Sequence, residues 1–245
     1  MKVWIAFWNI LAKDMRTYYL KPPNISWGII FPLAWAGMFF LRSGAHPNEL
    51  RALIPGVMTL SIIFGTTSLL AVAIAFEKMN RSFERLLLAP ISLPLLMLAK
   101  TSGAIVFGVL NAFIPLLLGM LIINLSGINW LILLLGVFLT SVSSAFLGLL
   151  IAVSVKAVFD AQTVSNFFRF PMIFLCGLFF PVQRLPLWLR FLSFALPPTY
   201  GADMLHQATG QTRLLPLSFD LIILILFGLG LFLLSLHTIN RRWII

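Results

Sequence analysis

The chain has 245 residues, 60% of them hydrophobic and only 10% charged, with a mean hydropathy of +1.03. Soluble domains carry about 25% charge, so the composition excludes one; the length holds roughly six membrane spans with short loops and leaves no stretch for a separate soluble domain. The net charge of +10 does not point to nucleic acid, because the basic residues sit mostly in loops beside apolar runs, where they set membrane orientation.

Residues 1–20 do not read as a signal peptide, because Lys13, Asp14 and Arg16 interrupt the apolar part where a cleavage site belongs. Helical spacing puts Trp4, Phe7, Trp8, Leu11, Met15 and Tyr18 on one face and Lys2, Asn9, Lys13 and Arg16 on the other. This predicts an interfacial amphipathic helix over 1–21, broken by Lys21-Pro22-Pro23. Span one follows at 25–41, with Pro32 inside, then a polar loop containing Arg42, His46, Glu49 and Arg51. Span two, 52–76, is rich in Ser61, Gly65, Thr66, Thr67 and Ser68, small residues that let helices approach closely.

A charged segment, 76–100, comes next. On one helix, Glu77, Lys78, Arg81, Glu84 and Arg85 share a face, and Met79, Phe83, Leu86 and Leu87 share the other; Pro90 and Pro94 end it. Its mixed signs suit a partner surface better than anionic lipid, which a plain basic stripe would serve. A solvated loop helix held by internal pairs such as Glu77 with Arg81 fits the residues equally well.

Span three runs over 98–123 and span four over 130–155, joined by an almost chargeless turn at 124–129. Asn111, Thr140 and Ser144 lie mid-span and are expected to hydrogen-bond between helices. A polar loop with Lys156, Asp160, Gln162 and Asn166 leads to span five at 167–180, where Arg169 near the start is expected to snorkel to the interface. Cys176, the single cysteine, reads as a small apolar filler. The next apolar piece, 187–196, lies between Pro186 and Pro197-Pro198 and is too short to cross; it predicts a re-entrant or interfacial helix stopped by the proline pair. Span six is 217–239.

With six spans the termini share a side with the loops after spans two and four. That side collects most of the basic residues, Lys13, Lys78, Arg81, Lys100 and Arg241 among them, against Arg42, Arg51, Arg184, Arg190 and Arg213 opposite. The richer side is the cytoplasmic one.

Two stretches carry a resemblance. Phe76-Glu77-Lys78, Phe83-Glu84-Arg85-Leu86-Leu87-Leu88-Ala89-Pro90 and Lys100 resemble the first cytoplasmic loop of ABC-2 type permeases, the membrane subunits of type V ABC exporters. Leu175-Cys176-Gly177-Leu178-Phe179-Phe180-Pro181, Leu185-Pro186, Trp188-Leu189 and Leu196-Pro197-Pro198-Thr199-Tyr200 with Asp203 resemble that family's C-terminal signature. Pro197 departs from it, since the family more often has a polar residue before the proline.

The resemblance implies an all-α integral membrane fold: one ABC-2 transmembrane domain over 1–245, with an interfacial helix at 1–21, a coupling helix at 77–90 and a re-entrant hairpin at 181–200 before the last span. It implies a permease in the cell (inner) membrane, both termini cytoplasmic, paired with a second copy or a close relative among membrane lipid. A separate cytoplasmic ATPase would hold the ATP and Mg, while this chain binds no cofactor. Glu77, Lys78, Arg81, Phe83, Glu84, Arg85 and Leu86 would couple to that ATPase; Pro181, Pro186, Trp188, Pro197, Pro198 and Tyr200 would form the re-entrant gate.

The chain has no phosphate-cradling G-x-x-x-x-G-K-[ST] loop, and Gly65-Thr66-Thr67 lacks the lysine. Its seven acids, Asp14, Glu49, Glu77, Glu84, Asp160, Asp203 and Asp220, are scattered and none is expected mid-span; His46, His206 and His237 have no ligand spacing. This argues against a membrane enzyme, a metal site and a proton-coupled pump. The cargo expected is hydrophobic or amphipathic: a drug, a lipid or a lipid-linked glycan. An ion-gradient-driven secondary transporter is the alternative, but the two halves show no convincing internal repeat.

Overall fold

The structure, a computed structural model, describes residues 2–42, 47–88, 91–123, 125, 127–178 and 181–242. The expectations on His46, Ala89, Pro90, Asn124, Phe179 and Phe180 lie outside these residues. Among the described residues all regular structure is helical. That is what a chain of long apolar runs must form in lipid, where backbone groups have to be satisfied within each segment.

Helix α1 (Lys2–Asp14) runs straight into a π-helical turn, Met15–Tyr19. Phe7, Met15 and Tyr18 pack against the core and Ile10, Asp14 and Tyr19 are buried, whereas Trp4 and Trp8 point outward. The expected apolar face is therefore split, with the tryptophans on its outer edge and Asp14 drawn inside. Helix α2 (Pro22–Arg42) starts on the first proline of the expected break.

The central rod is α3 (Pro47–Ile63), a π-helical turn at Phe64–Ser68, and α4 (Leu69–Met79). Helices α6 (Leu93–Ile122) and α7 (Trp130–Ser154) pack along it, and α5 (Ser82–Leu87) lies between rod and α6. After α8 (Val158–Leu175) come a 3-10 turn at Val182–Arg184, then α9 (Leu187–Phe194), α10 (Pro197–Ala208) and α11 (Leu217–Arg242). Among the described residues four stretches are long and apolar enough to cross a membrane: Glu49–Met79, Leu93–Ile122, Trp130–Ser154 and Leu217–Arg241. Helices α2 and α8 stand in the places of the first and fifth expected spans.

Small and hydroxyl residues set the packing at the middle of the rod. The Thr67 hydroxyl donates to the Ser144 carbonyl of α7 at 3.2 Å. A Cβ at Gly148 would sit 2.5 Å from the Thr67 carbonyl oxygen, so only glycine permits this crossing. The expectation that Thr140 and Ser144 side chains bridge helices fails. The Thr140 hydroxyl donates to Gly136 of its own helix, and the Ser144 hydroxyl has no partner. A hydroxyl facing a tight crossing bonds most easily to the carbonyl one turn back. Asn111 also bridges nothing: its amide nitrogen is wedged against Gly28 and Gly65 without an acceptor.

Three further expectations are corrected. Helix α8 begins at Val158, not near 167, because Ala161 and Ser165 are buried one turn apart while Asp160, Gln162 and Thr163 face outward. Arg169 does not snorkel but is buried about two-thirds of the way along α8. Pro197 and Pro198 follow the end of α9 at Phe194, as expected, but they also open a further helix, α10, where a missing N–H is harmless. The expected hairpin at 181–200 is thus a pair of helices reaching Ala208.

Candidate functional site

The candidate site lies where the rod ends. Helix α4 stops at Met79, Asn80 caps it, and Arg81 adopts a left-handed conformation, φ +56°, before α5 starts in a new direction. The Ser82 hydroxyl donates to the Glu77 carbonyl at 3.1 Å, satisfying one acceptor that the break releases. The single helix expected over 77–88 is therefore two pieces. Glu77 and Lys78 belong to the last turn of the rod and do not share a face with Glu84 and Arg85.

Helix α5 is fastened by its apolar side. Phe83 is buried, Leu86 and Leu87 pack on the core, and Arg81, Glu84, Arg85 and Leu88 remain exposed. The expected coupling residues thus divide into anchors (Phe83, Leu86), outward-facing charges (Arg81, Glu84, Arg85), the half-buried Lys78 and one residue, Glu77, that is only 1% exposed.

Glu77 faces inward because a charge cluster receives it. The Lys13 ammonium donates to its Oε1 at 2.6 Å, and Lys100 pairs with Oε2. Lys100 Nζ also donates to both Asp14 oxygens, at 3.1 and 3.0 Å, and Lys13 lies 3.1 Å from Asp14 Oδ1. The end of α1, the end of α4 and the second turn of α6 meet in this box of alternating charge. Burial pushes the Asp14 carboxyl up, with Lys100 offsetting part of that. Burial works against the Lys13 ammonium too, but its hydrogen bond to Glu77 and the two carboxylate charges prevail and hold it above its ordinary range. Gly103 opens the room beneath, since a Cβ there would sit 2.9 Å from the Tyr19 ring.

The sequence reading missed this cluster. It placed Lys13 on a water-facing side and treated the acids as scattered, yet Asp14 lies 86 positions from Lys100, and Lys13 lies 64 from Glu77. The available signal was local: Asp14 sits on an otherwise apolar stripe, and Lys100 stands inside an apolar run.

At the other end of the rod, Arg51 Nε and Nη2 donate to the Thr209 carbonyl at 3.1 and 3.0 Å, and the Gln211 amide returns to the Arg51 carbonyl at 2.7 Å. Asp203 accepts from the Leu214 and Leu215 amides at 2.8 and 2.9 Å, and Gln207 donates to Asp220 at 3.0 Å, fixing α10 to α11. The Tyr200 hydroxyl donates to the Phe194 carbonyl at 2.7 Å and closes α9 onto α10. Of the expected gate residues, Pro197, Pro198 and Tyr200 are buried, while Pro181, Pro186 and Trp188 are exposed. A cavity of about 570 Å³ opens here, bordered by Glu49, Cys176, Arg184, Asp203 and His206 among others.

A membrane-embedded helical bundle, with a short docked helix at one end and a helical pair at the other, is the class this geometry defines. The sequence profile of the ABC-2 type transporter family matches residues 5–209. The chain belongs to that family. It is 23% identical over 246 aligned positions to the inner membrane transport permease YadH of Escherichia coli strain K12, covering 97% of this chain and 96% of the relative. The permease of the same name from Shigella flexneri matches to the same extent. The ABC transporter G family member 20 of Dictyostelium discoideum is 30% identical over 176 positions, 66% of this chain and 23% of that protein. The chain is accordingly a permease component of a membrane transporter rather than an enzyme.

Proposed function

We propose that this chain is the membrane subunit of an ATP-driven exporter, working as a pair of copies or with a close relative, and powered by a separate cytoplasmic ATPase that holds the ATP and Mg. In this reading α2 and α8 complete six spans, both termini and α5 face the cytoplasm, and the α9–α10 pair is the re-entrant element on the outer side. The cargo is hydrophobic or amphipathic.

The observation that carries the reading is the ion cluster behind α5. Arg81, Glu84 and Arg85 offer mixed charge to a partner, while a few residues away Glu77 is bound to both Lys13 and Lys100. A displacement of α5 reaches the rod at Met79, and the cluster passes it to α1 and α6 together. Breaking a buried pair by removing one partner is costly, about 3–5 kcal/mol, so the three helix ends move as one body.

The test is co-purification of the full chain with candidate ATPases, followed by export with the double exchange Glu84→Lys/Arg85→Glu. Loss of association and export in a chain that still folds is expected. Export that survives the exchange, or that runs on a proton gradient in liposomes without ATP, overturns the proposal and favours a secondary carrier.

A further inference from the structure

Arg169 is a charge without an answer. It is 5% exposed, and it lies about 16 Å along α8 from Val158, beside Ser68, which is about 16 Å from the end of the rod at Met79. In the six-span reading, where α8 and the rod both cross a core of about 30 Å, that is mid-depth. Its guanidinium donates to the Ser68 hydroxyl, reaches Asn166 Oδ1 at 3.4 Å and lies 4.0 Å over the Phe64 ring, while Nε has no hydrogen-bond partner. All seven acids are among the described residues, and none forms an ion pair with it: Asp14 and Glu77 are committed to Lys13 and Lys100. Among the described residues only neutral groups contact a cation that burial penalises heavily, and an ionisable side chain at this depth marks a functional site by default.

The surroundings define what would answer it. The Phe64 ring that carries the guanidinium also stacks on Phe31, centroids 4.5 Å apart. Phe31 borders an apolar hollow of about 240 Å³ on α2, with Ser26, Ile30 and Ala34. A cation with a free donor, an aromatic pair and a greasy recess follow one another.

We infer that Arg169 binds the oxyanion head group, phosphate or carboxylate, of an amphiphile whose hydrocarbon lies along Phe64 and Phe31. This names the cargo class within the export reading and rests on it for the route. It also gives the arginine expected to snorkel to the interface a role inside the bundle. The binding itself needs neither nucleotide nor ATPase, so failed ATPase co-purification and failed amphiphile binding are separate results.

The experiment uses the purified full chain in neutral dodecyl maltoside, with dodecyl phosphate as probe, read by native mass spectrometry and by thermal unfolding. Dodecyl phosphate should be retained by the wild type and raise its melting temperature, whereas dodecyltrimethylammonium and inorganic phosphate should do neither. Arg169→Met should weaken retention at least about tenfold, and Arg169→Lys should restore most of it. The Met variant should also melt at a higher temperature than the wild type, since it removes an uncompensated buried charge, whereas a purely structural arginine would give a lower one. Competition by phosphatidylglycerol identifies the bound head group as a membrane lipid's; its failure to compete leaves a single-chain cargo. Equal retention of dodecyl phosphate by wild type and the Met variant, or equal retention of the cationic amphiphile by the wild type, overturns the inference. So does a wild type whose melting temperature dodecyl phosphate leaves unmoved, a result that requires no variant to fold.

Discussion

Lys100 Nζ sits 3.0 Å from Asp14 Oδ2, so a residue two turns into α6 grips the last residue of α1. The same ammonium pairs with Glu77 at the end of α4. One side chain therefore ties the N-terminal helix, the central rod and a third long helix at a single point.

Removing that side chain should expose how the point is balanced. Lys100→Met leaves Asp14 and Glu77 buried close together with only the half-exposed Lys13 between them. The expected loss is about 3–5 kcal/mol, read as a lower melting temperature in detergent. The triple change Asp14→Leu/Glu77→Leu/Lys100→Met removes the orphaned carboxylates and should recover most of that loss, because apolar replacement of a whole buried ion cluster is often neutral or stabilising. A triple variant as unstable as the single one would show that the cluster is not what Lys100 supports.

The cluster also fixes a pH dependence. Lys13 binds its proton more tightly in the fold than at its ordinary value of 10.5, because Glu77 and Asp14 outweigh its burial. Its contribution is complete below pH 10.5 and is lost as the pH climbs through the raised value. The melting-temperature gap between wild type and Lys13→Met should be constant across the neutral range and close only in strongly alkaline buffer. A gap that closes near neutrality would contradict the pairing.

Much of the bundle is legible because lipid leaves the backbone few options. Apolar runs such as 130–155 become helices with nearly the expected ends, as α7 does. What is not legible is what depends on partners. Periodicity puts Asp14 on a face but does not reveal that Lys100 waits there, 86 positions away. Helix α10 was unexpected because Thr199, Tyr200, Asp203, His206 and Gln207 look like loop. The first three are admitted to the interior because Gly201 rests on Thr140, where a Cβ would come within 2.0 Å of Oγ1, and because Asp203 finds two backbone donors. The break at Arg81 was hidden for another reason: arginine carries no turn signal, so a left-handed position there is invisible to composition.

That break gives a prediction of its own. An L-residue in the left-handed region is disfavoured by roughly 1–2 kcal/mol, and glycine escapes the penalty. Arg81 is exposed, so substitutions there act mainly through the backbone. Arg81→Gly should raise the melting temperature slightly or leave it unchanged, whereas Arg81→Val should lower it. Equal behaviour of the two would mean that α4 and α5 are not divided at this residue.

A last prediction concerns the contact that seats the turn after α8 on the rod. A Cβ added to Gly56 would fall 1.7 Å from the Leu178 carbonyl oxygen and 2.6 Å from its carbon. Both are backbone atoms, so no rotamer change relieves the clash, and α3 or the turn must move bodily. Overpacking of this kind costs about 1–3 kcal/mol or more. Gly230 on α11 has no described neighbour within 4 Å of such a Cβ, and alanine there should gain up to about 1 kcal/mol in helix propensity. Gly56→Ala should therefore melt well below wild type while Gly230→Ala melts at or above it. The Gly56 variant should also disturb the cavity beside α10, which Leu178 helps to line, so a cysteine label at Gln183 should report a changed environment in that variant alone.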